Sequence, residues 1–129
     1  MLRQFLFLFV FVVVISACNQ SLSPDDLNGK WNYIRVEHNG DPTDTIHTSD
    51  LIKQKPYIQF TKNNKLQIVW DGRVLSHGKF RIDGHNIRYT ETLADSSTRE
   101  FPFWVSELSD KKIVFNTIGA DGSKVTAVR

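Results

Sequence analysis

The chain of 129 residues holds one thiol, Cys18, and four imidazoles, His38, His47, His77 and His85. A cysteine nucleophile needs a base beside it, and a metal centre needs three or four ligands at a recognisable spacing. The histidines share no such spacing, and Cys18 sits in an apolar leader with none of them nearby. The acidic pairs Asp25/Asp26 and Asp41/Asp44 fall among turn formers, where aspartate caps and reverses the chain. Lys53/Lys55 and Lys111/Lys112 read as solvated loop charges. No nucleophile elbow, phosphate-binding loop or dinucleotide fingerprint is present. These residues predict no catalytic set, no metal centre and no cofactor, and an enzyme is not expected. Sixteen basic side chains, of which Arg3 belongs to the leader, stand against 14 acidic ones. So even a balance lacks the concentrated basic face that nucleic acid requires. The remaining chemistry is aromatic, and Trp31, Trp70, Tyr89 and Phe103 are the candidates to hold a small apolar molecule.

Residues 1–17 differ from all that follow. Arg3 precedes an unbroken apolar run from Phe5 to Ile15, and Ser16 and Ala17 lead to Cys18. The run is well short of the roughly 20 residues of a spanning helix and fits the core of a secretory signal. Ile15-Ser16-Ala17-Cys18 resembles the lipobox of bacterial lipoproteins. That resemblance implies cleavage before Cys18, a diacylglyceryl group on its sulfur and an acylated amine. Several chains are needed because each buried CH₂ contributes only about 0.8 kcal/mol. Asn19, where the enterobacterial sorting rule places aspartate for inner-membrane retention, implies the outer membrane.

The rest must position the aromatic residues without a disulfide. Residues 18–28 read as a lipidated cysteine and tether, with one helical turn over Ser23–Gly29 in which Ser23 caps and Pro24 opens the helix. Residues 29–129 read as a chain of hairpins. Gly29–His38, Pro56–Thr61, Lys65–Trp70, Arg73–Ile82, His85–Glu91, Arg99–Glu107, Lys111–Ile118 and Ser123–Val128 are strand-like. Asn39-Gly40, Asp71-Gly72, Asp83-Gly84 and Ala120-Asp121-Gly122 are the turns. Leu66, Ile68 and Trp70 alternate with polar residues, as do Phe80 with Ile82 and Ile87 with Tyr89, which gives one dry face and one wet face. Eight short sequential strands predict an all-β, antiparallel up-and-down barrel. A parity change in the first strand, from Trp31 and Tyr33 to Ile34 and Val36, predicts a bulge near Tyr33. Pro102 predicts a bulge or an edge. Asp41–Lys55 is too long for a hairpin and reads as a lid with a short helix at Ser49–Ile52.

Gly29-Lys30-Trp31, opening the first strand after a helical turn, resembles the Gly-x-Trp signature of lipocalins. Leu27–Trp31, Asn39-Gly40, Ile58–Phe60, Gly78-Lys79-Phe80 and Leu108–Val114 follow the order seen in short lipocalin-like lipoproteins of Bacteroidetes. The resemblance spans Leu27 to Val128 and implies a lipocalin-like barrel. It also implies a late arginine packed on the tryptophan, for which Arg129 is the candidate by position. The Thr-Asp-Tyr motif of true lipocalins is absent.

Two readings of function follow. One is a lipid-tethered binding module that takes a small apolar or amphipathic molecule near one open end, against Trp70 or under Asp41–Lys55. Its proposed inward set is Trp31, Phe60, Trp70, Phe80, Tyr89, Phe101 and Phe115. The other is an interaction module with a filled interior, meeting a protein partner through an outward face of Trp104, Tyr57, Val69 and Val114.

Overall fold

A computed structural model describes residues 22–39, 41–118 and 122–129. The signal segment, Cys18 and Asn19 lie outside the described residues, as do Gly40 and Ala120-Asp121 of two expected turns.

Helix α1 (Pro24–Leu27) leads into β1 (Gly29–His38), β2 (Asp41–Thr45), α2 (Thr48–Gln54) and β3 (Tyr57–Phe60). Strands β4 (Lys65–Trp70), β5 (Arg73–Asp83), β6 (Asn86–Thr92), β7 (Thr98–Leu108), β8 (Lys112–Thr117) and β9 (Ser123–Val128) complete the chain. From β3 to β9 each strand pairs antiparallel with the next, and β1 pairs with both β3 and β9. The sheet therefore closes on itself as an eight-stranded, all-antiparallel up-and-down barrel, which removes most free edges. Strand β2 is an appendage paired to the end of β1 at Glu37 and His38.

The bulge in β1 lies where the parity changes. Register against β9 slips between Tyr33 and Arg35. Trp31, Tyr33 and Val36 point into the core, and the extra residue, Ile34, turns outward and is half exposed. One residue against none on the partner is the geometry of a bulge, and it keeps both ends of β1 facing inward. Pro102 sits at an edge: it pairs with Arg88 on β6, but β8 begins its pairing only at Phe103. The bulge in β7 comes later, between Val105 and Glu107.

Turn residues behave as their backbone freedom dictates. Asp71, Gly72 and Gly84 adopt positive φ in the two tight hairpins. Gly78 answers a different need. A Cβ built there would lie 2.0 Å from the carbonyl oxygen of Thr90, so β5 can approach β6 this closely only without a side chain.

The two ends of the barrel differ. At the floor, α1 lies below Trp31, whose indole N–H donates to the Leu27 carbonyl at 2.8 Å. Arg129 lays its guanidinium 4.0 Å from the centre of the Trp31 ring and donates to the carbonyls of Asn28 (2.7 Å) and Asp110 (2.8 Å). Leu27, Trp31, Phe60 and Ile113 fill this half completely. Ser23 stands at the N-cap position of α1, but its side chain makes no capping bond; its carbonyl accepts from Asp26 instead.

At the opposite end, the mouth, lie the β4–β5 and β6–β7 turns and α2. Leu51 of α2 is buried in the core, and Lys55 ends the helix in the left-handed conformation, donating its N–H to the Leu51 carbonyl at 2.9 Å. The stretch Asp41–Lys55 is thus part strand and part helix, not a free lid.

The outward apolar patch expected from parity does not form. Trp104 is outward and 46% exposed, but Val69 and Val114 are each only 5% exposed. Val69 is shaded in the ladder by Tyr57 and Val74, and Val114 by Glu107 and Thr126. Tyr57 and Val69 also lie on β3 and β4, across the barrel from Trp104 on β7. No single patch joins them.

Candidate functional site

Alternation along β6 carries Ile87, Tyr89 and Glu91 into the barrel, and alternation along β7 carries Arg99, Phe101, Phe103 and Val105. Near the floor these positions are apolar and close-packed. Towards the mouth they leave a cavity of about 410 Å³, walled by Tyr33, Ile68, Tyr89, Phe101, Phe103 and Phe115 and rimmed by Ser76, Glu91 and Arg99. This lies at the small end of the range for ligand pockets, about 300–1,000 Å³.

The rings hold one another in place. Tyr89 meets Phe101 edge-on at 5.3 Å and stacks on Phe103 at 5.5 Å. Phe103 leans on Phe115 at 5.4 Å, and Phe115 meets Tyr33 at 6.2 Å. Each such pair contributes about 0.5–1.5 kcal/mol beyond the area it buries, so the wall is preformed and stiff.

One polar chain crosses the rim. Glu91, 8% exposed, is the buried charged residue of the described core. Its carboxylate accepts a short hydrogen bond from the Ser76 hydroxyl and another from Arg99 Nε at 2.6 Å. Because the Ser76 proton is committed to the carboxylate, the Tyr89 hydroxyl, 2.6 Å away, is the donor to Ser76. Burial of a carboxylate is tolerated only with such partners. The arginine that supplies one of them is itself 63% exposed and lies 5.5 Å over the Phe101 ring.

The two cavity tyrosines stay protonated well above neutrality. Burial pushes the Tyr33 phenol up, and the nearby Tyr89 adds to this. Burial likewise pushes Tyr89 up to about 12, with Glu91 adding to the rise and Arg99 opposing it. Both therefore act as hydrogen-bond donors. Among the described residues the Tyr33 hydroxyl has no hydrogen-bond partner.

Of the four aromatic candidates, the structure brings Tyr89 and Phe103 together in this wall. Trp31 is sealed in the floor beneath Arg129 and reaches no cavity. Trp70 packs edge-on against Tyr33 at 6.0 Å and hydrogen-bonds Gln54 of α2, so it braces the wall from behind. From the proposed inward set, Phe60 and Phe80 pair at 5.3 Å in the filled half. The interior space thus lies apart from Trp70, while a different concavity lies against Leu51–Lys55 of the Asp41–Lys55 stretch. A second concavity, about 620 Å³, runs outside the barrel between α2 and β3 and is lined by Lys30, Lys53, Lys55 and Tyr57. Its aromatic lining is limited to Tyr33 and Tyr57.

No protein-family model matches this chain. No curated protein matches it either. The four histidines are all exposed. Among the described residues no group of three or more His, Cys, Asp or Glu is placed to hold a metal ion, and no helix is long and apolar enough to cross a membrane.

Sequence reasoning overlooked Tyr33, Ser76, Glu91 and Arg99 as site residues. The signal for two of them was present: Glu91 continues the inward parity of Ile87 and Tyr89, and Arg99 that of Phe101 and Phe103. A carboxylate and an arginine opposite each other across β6 and β7 are a cross-strand ion pair.

Proposed function

We propose that this protein is a lipid-anchored envelope lipoprotein, attached through Cys18 to the outer membrane, whose barrel binds a small amphipathic molecule at its mouth. The observation that carries the binding reading is the half-filled interior: a packed floor beneath a preformed aromatic cup with a polar rim. At about 410 Å³ such a cup suits a compact ring system better than a long acyl chain. The lipocalin-like family supplies the framework for this reading. The guanidinium of Arg129 on Trp31 supports that resemblance, since the family pattern asks for a late arginine there. The rival reading, a protein-interaction module, keeps the exposed ring of Trp104 but loses Val69 and Val114, which are buried, and Tyr57, which lies across the barrel.

Binding is tested by calorimetry with 2-naphthalenemethanol on the full chain in detergent micelles, with an empty-micelle titration subtracted. Ser76→Phe, which fills the cavity, abolishes the binding heat, and Trp104→Ala on the outer wall leaves it unchanged. Equal binding by both variants would place the probe elsewhere and overturn the reading. The anchor is tested separately: Cys18→Ala moves the protein from the membrane fraction to the soluble fraction, and retention of the variant after a salt wash would refute lipid attachment.

A further inference from the structure

The rim of the cavity carries a charge whose geometry selects among ligands. Arg99 spends Nε on Glu91, at 2.6 Å, and lies 5.5 Å over the Phe101 ring, so two contacts orient the guanidinium. Its two terminal nitrogens make no hydrogen bond among the described residues, and the side chain is 63% exposed at the cavity mouth. Glu91 is in the opposite condition. It lies beneath Arg99, is 8% exposed, and both its oxygens are occupied by Ser76 and Arg99. A cationic ligand would have to displace the arginine from a buried carboxylate. An anionic one needs to displace nothing.

The Tyr33 hydroxyl belongs to a side chain only 8% exposed in the cavity wall, and has no partner among the described residues. It is an unspent donor in a wall made mainly of rings and aliphatic side chains. Donors at both the wall and the rim call for a ligand whose polar atoms are acceptors.

Resting on the binding reading above, we propose that the ligand is a compact aromatic or alicyclic acid, with its ring system in the cup of Tyr89, Phe101, Phe103 and Phe115 and its carboxylate on the terminal nitrogens of Arg99. Tyr33 donates to an oxygen substituent on the ring system. Glu91 and Ser76 are positioning residues: they hold the guanidinium by Nε so that its outer edge faces the ligand. Arginine suits this role because its planar fork serves two carboxylates at once, which a lysine ammonium cannot do with fixed geometry.

The test uses three probes with one ring system: 2-naphthoate, 2-naphthalenemethanol and 2-naphthylmethylammonium, titrated calorimetrically into the full chain in nonionic micelles. At low salt 2-naphthoate binds at least about fivefold tighter than the alcohol, the ammonium binds weakest, and added salt narrows the spread. In Arg99→Gln the order flattens or inverts, because the Glu91 carboxylate is then uncovered. The double variant Glu91→Gln/Arg99→Gln removes both charges and keeps the rim neutral, so the affinities for naphthoate and alcohol converge there even if the single variant folds poorly. Tightest binding of the ammonium, or equal binding of alcohol and acid by the unmodified protein, overturns the anion assignment while the binding reading stands. No heat from any of the three overturns both.

Discussion

Arg129 lies flat over Trp31 with its guanidinium carbon 4.0 Å from the ring centre, joining the last described residue to the third residue of β1. The same guanidinium ties the carbonyls of Asn28 and Asp110, so one side chain closes the floor where β1, α1 and the β7–β8 turn meet. A cation over an indole contributes about 0.5–2 kcal/mol, and each carbonyl bond about 1 kcal/mol net. Arg129→Ala is therefore expected to cost about 2 kcal/mol in urea unfolding, with Arg129→Lys recovering part of it. An unfolding midpoint unchanged in Arg129→Ala would show that the floor does not depend on this contact.

Gly78 and Gly84 should respond unequally to the same change. At Gly78 a methyl group would overlap the Thr90 carbonyl at 2.0 Å, so Gly78→Ala must pry β5 from β6 and is expected to cost more than about 2 kcal/mol. At Gly84 nothing lies within 4 Å, and only the positive φ of 60° is unfavourable, so Gly84→Ala is expected to cost about 1 kcal/mol. Thermal melts of the two variants decide; Gly78→Ala melting at or above Gly84→Ala would contradict the close approach.

Alkali should unfold the barrel through its buried phenols. The folded Tyr89 titrates at about 12, against an ordinary value of 10.0, and Tyr33 is shifted in the same direction. A raised pKa means that the native state holds its proton longer than the unfolded state does. The stability this supplies is whole below pH 10 and is lost between about 10 and 12. Tyrosinate absorbance and β-sheet ellipticity are expected to change together in that window. Ionisation of all the tyrosines near pH 10 with the sheet signal intact would mean that Tyr33 and Tyr89 are not enclosed.

The opposite faces of β7 give an optical test. Phe103 is 2% exposed and Trp104 46%. Phe103→Ala is expected to cost about 3–5 kcal/mol and Trp104→Ala about 1 kcal/mol or less. Acrylamide should quench a fluorescence component that disappears in Trp104→Phe, while Trp31 stays shielded. Loss of no quenchable component in Trp104→Phe would place that ring inside.

The strands were legible because each hairpin is local: alternating residues, an Asp-Gly or Asn-rich turn, then the return strand. β1, β4 and β9 begin and end where composition and periodicity put them. Strand β2 was hidden because Asp41-Pro42-Thr43-Asp44-Thr45 is poor in strand-forming residues and owes its conformation to the free edge of β1. Likewise, Val69 and Val114 look exposed by parity alone, but how far neighbours shade a short side chain depends on tertiary packing. The cavity was half legible. Tyr89 and Phe103 follow from inward parity, whereas the difference between a packed floor and an open mouth depends on how far opposite strands splay, which no single strand records. Trp31 and Trp70 were natural candidates by size, and both prove to be braces.

Leu22 donates its amide to the Gly84 carbonyl at 3.1 Å, so the described chain enters at the floor, beside Arg129 and opposite the cup. With Cys18 as the anchor proposed above, the molecule would be held by its closed pole and the rim would face bulk water. A guest would then arrive from solution instead of sliding out of the bilayer, and occupancy would follow its free aqueous concentration.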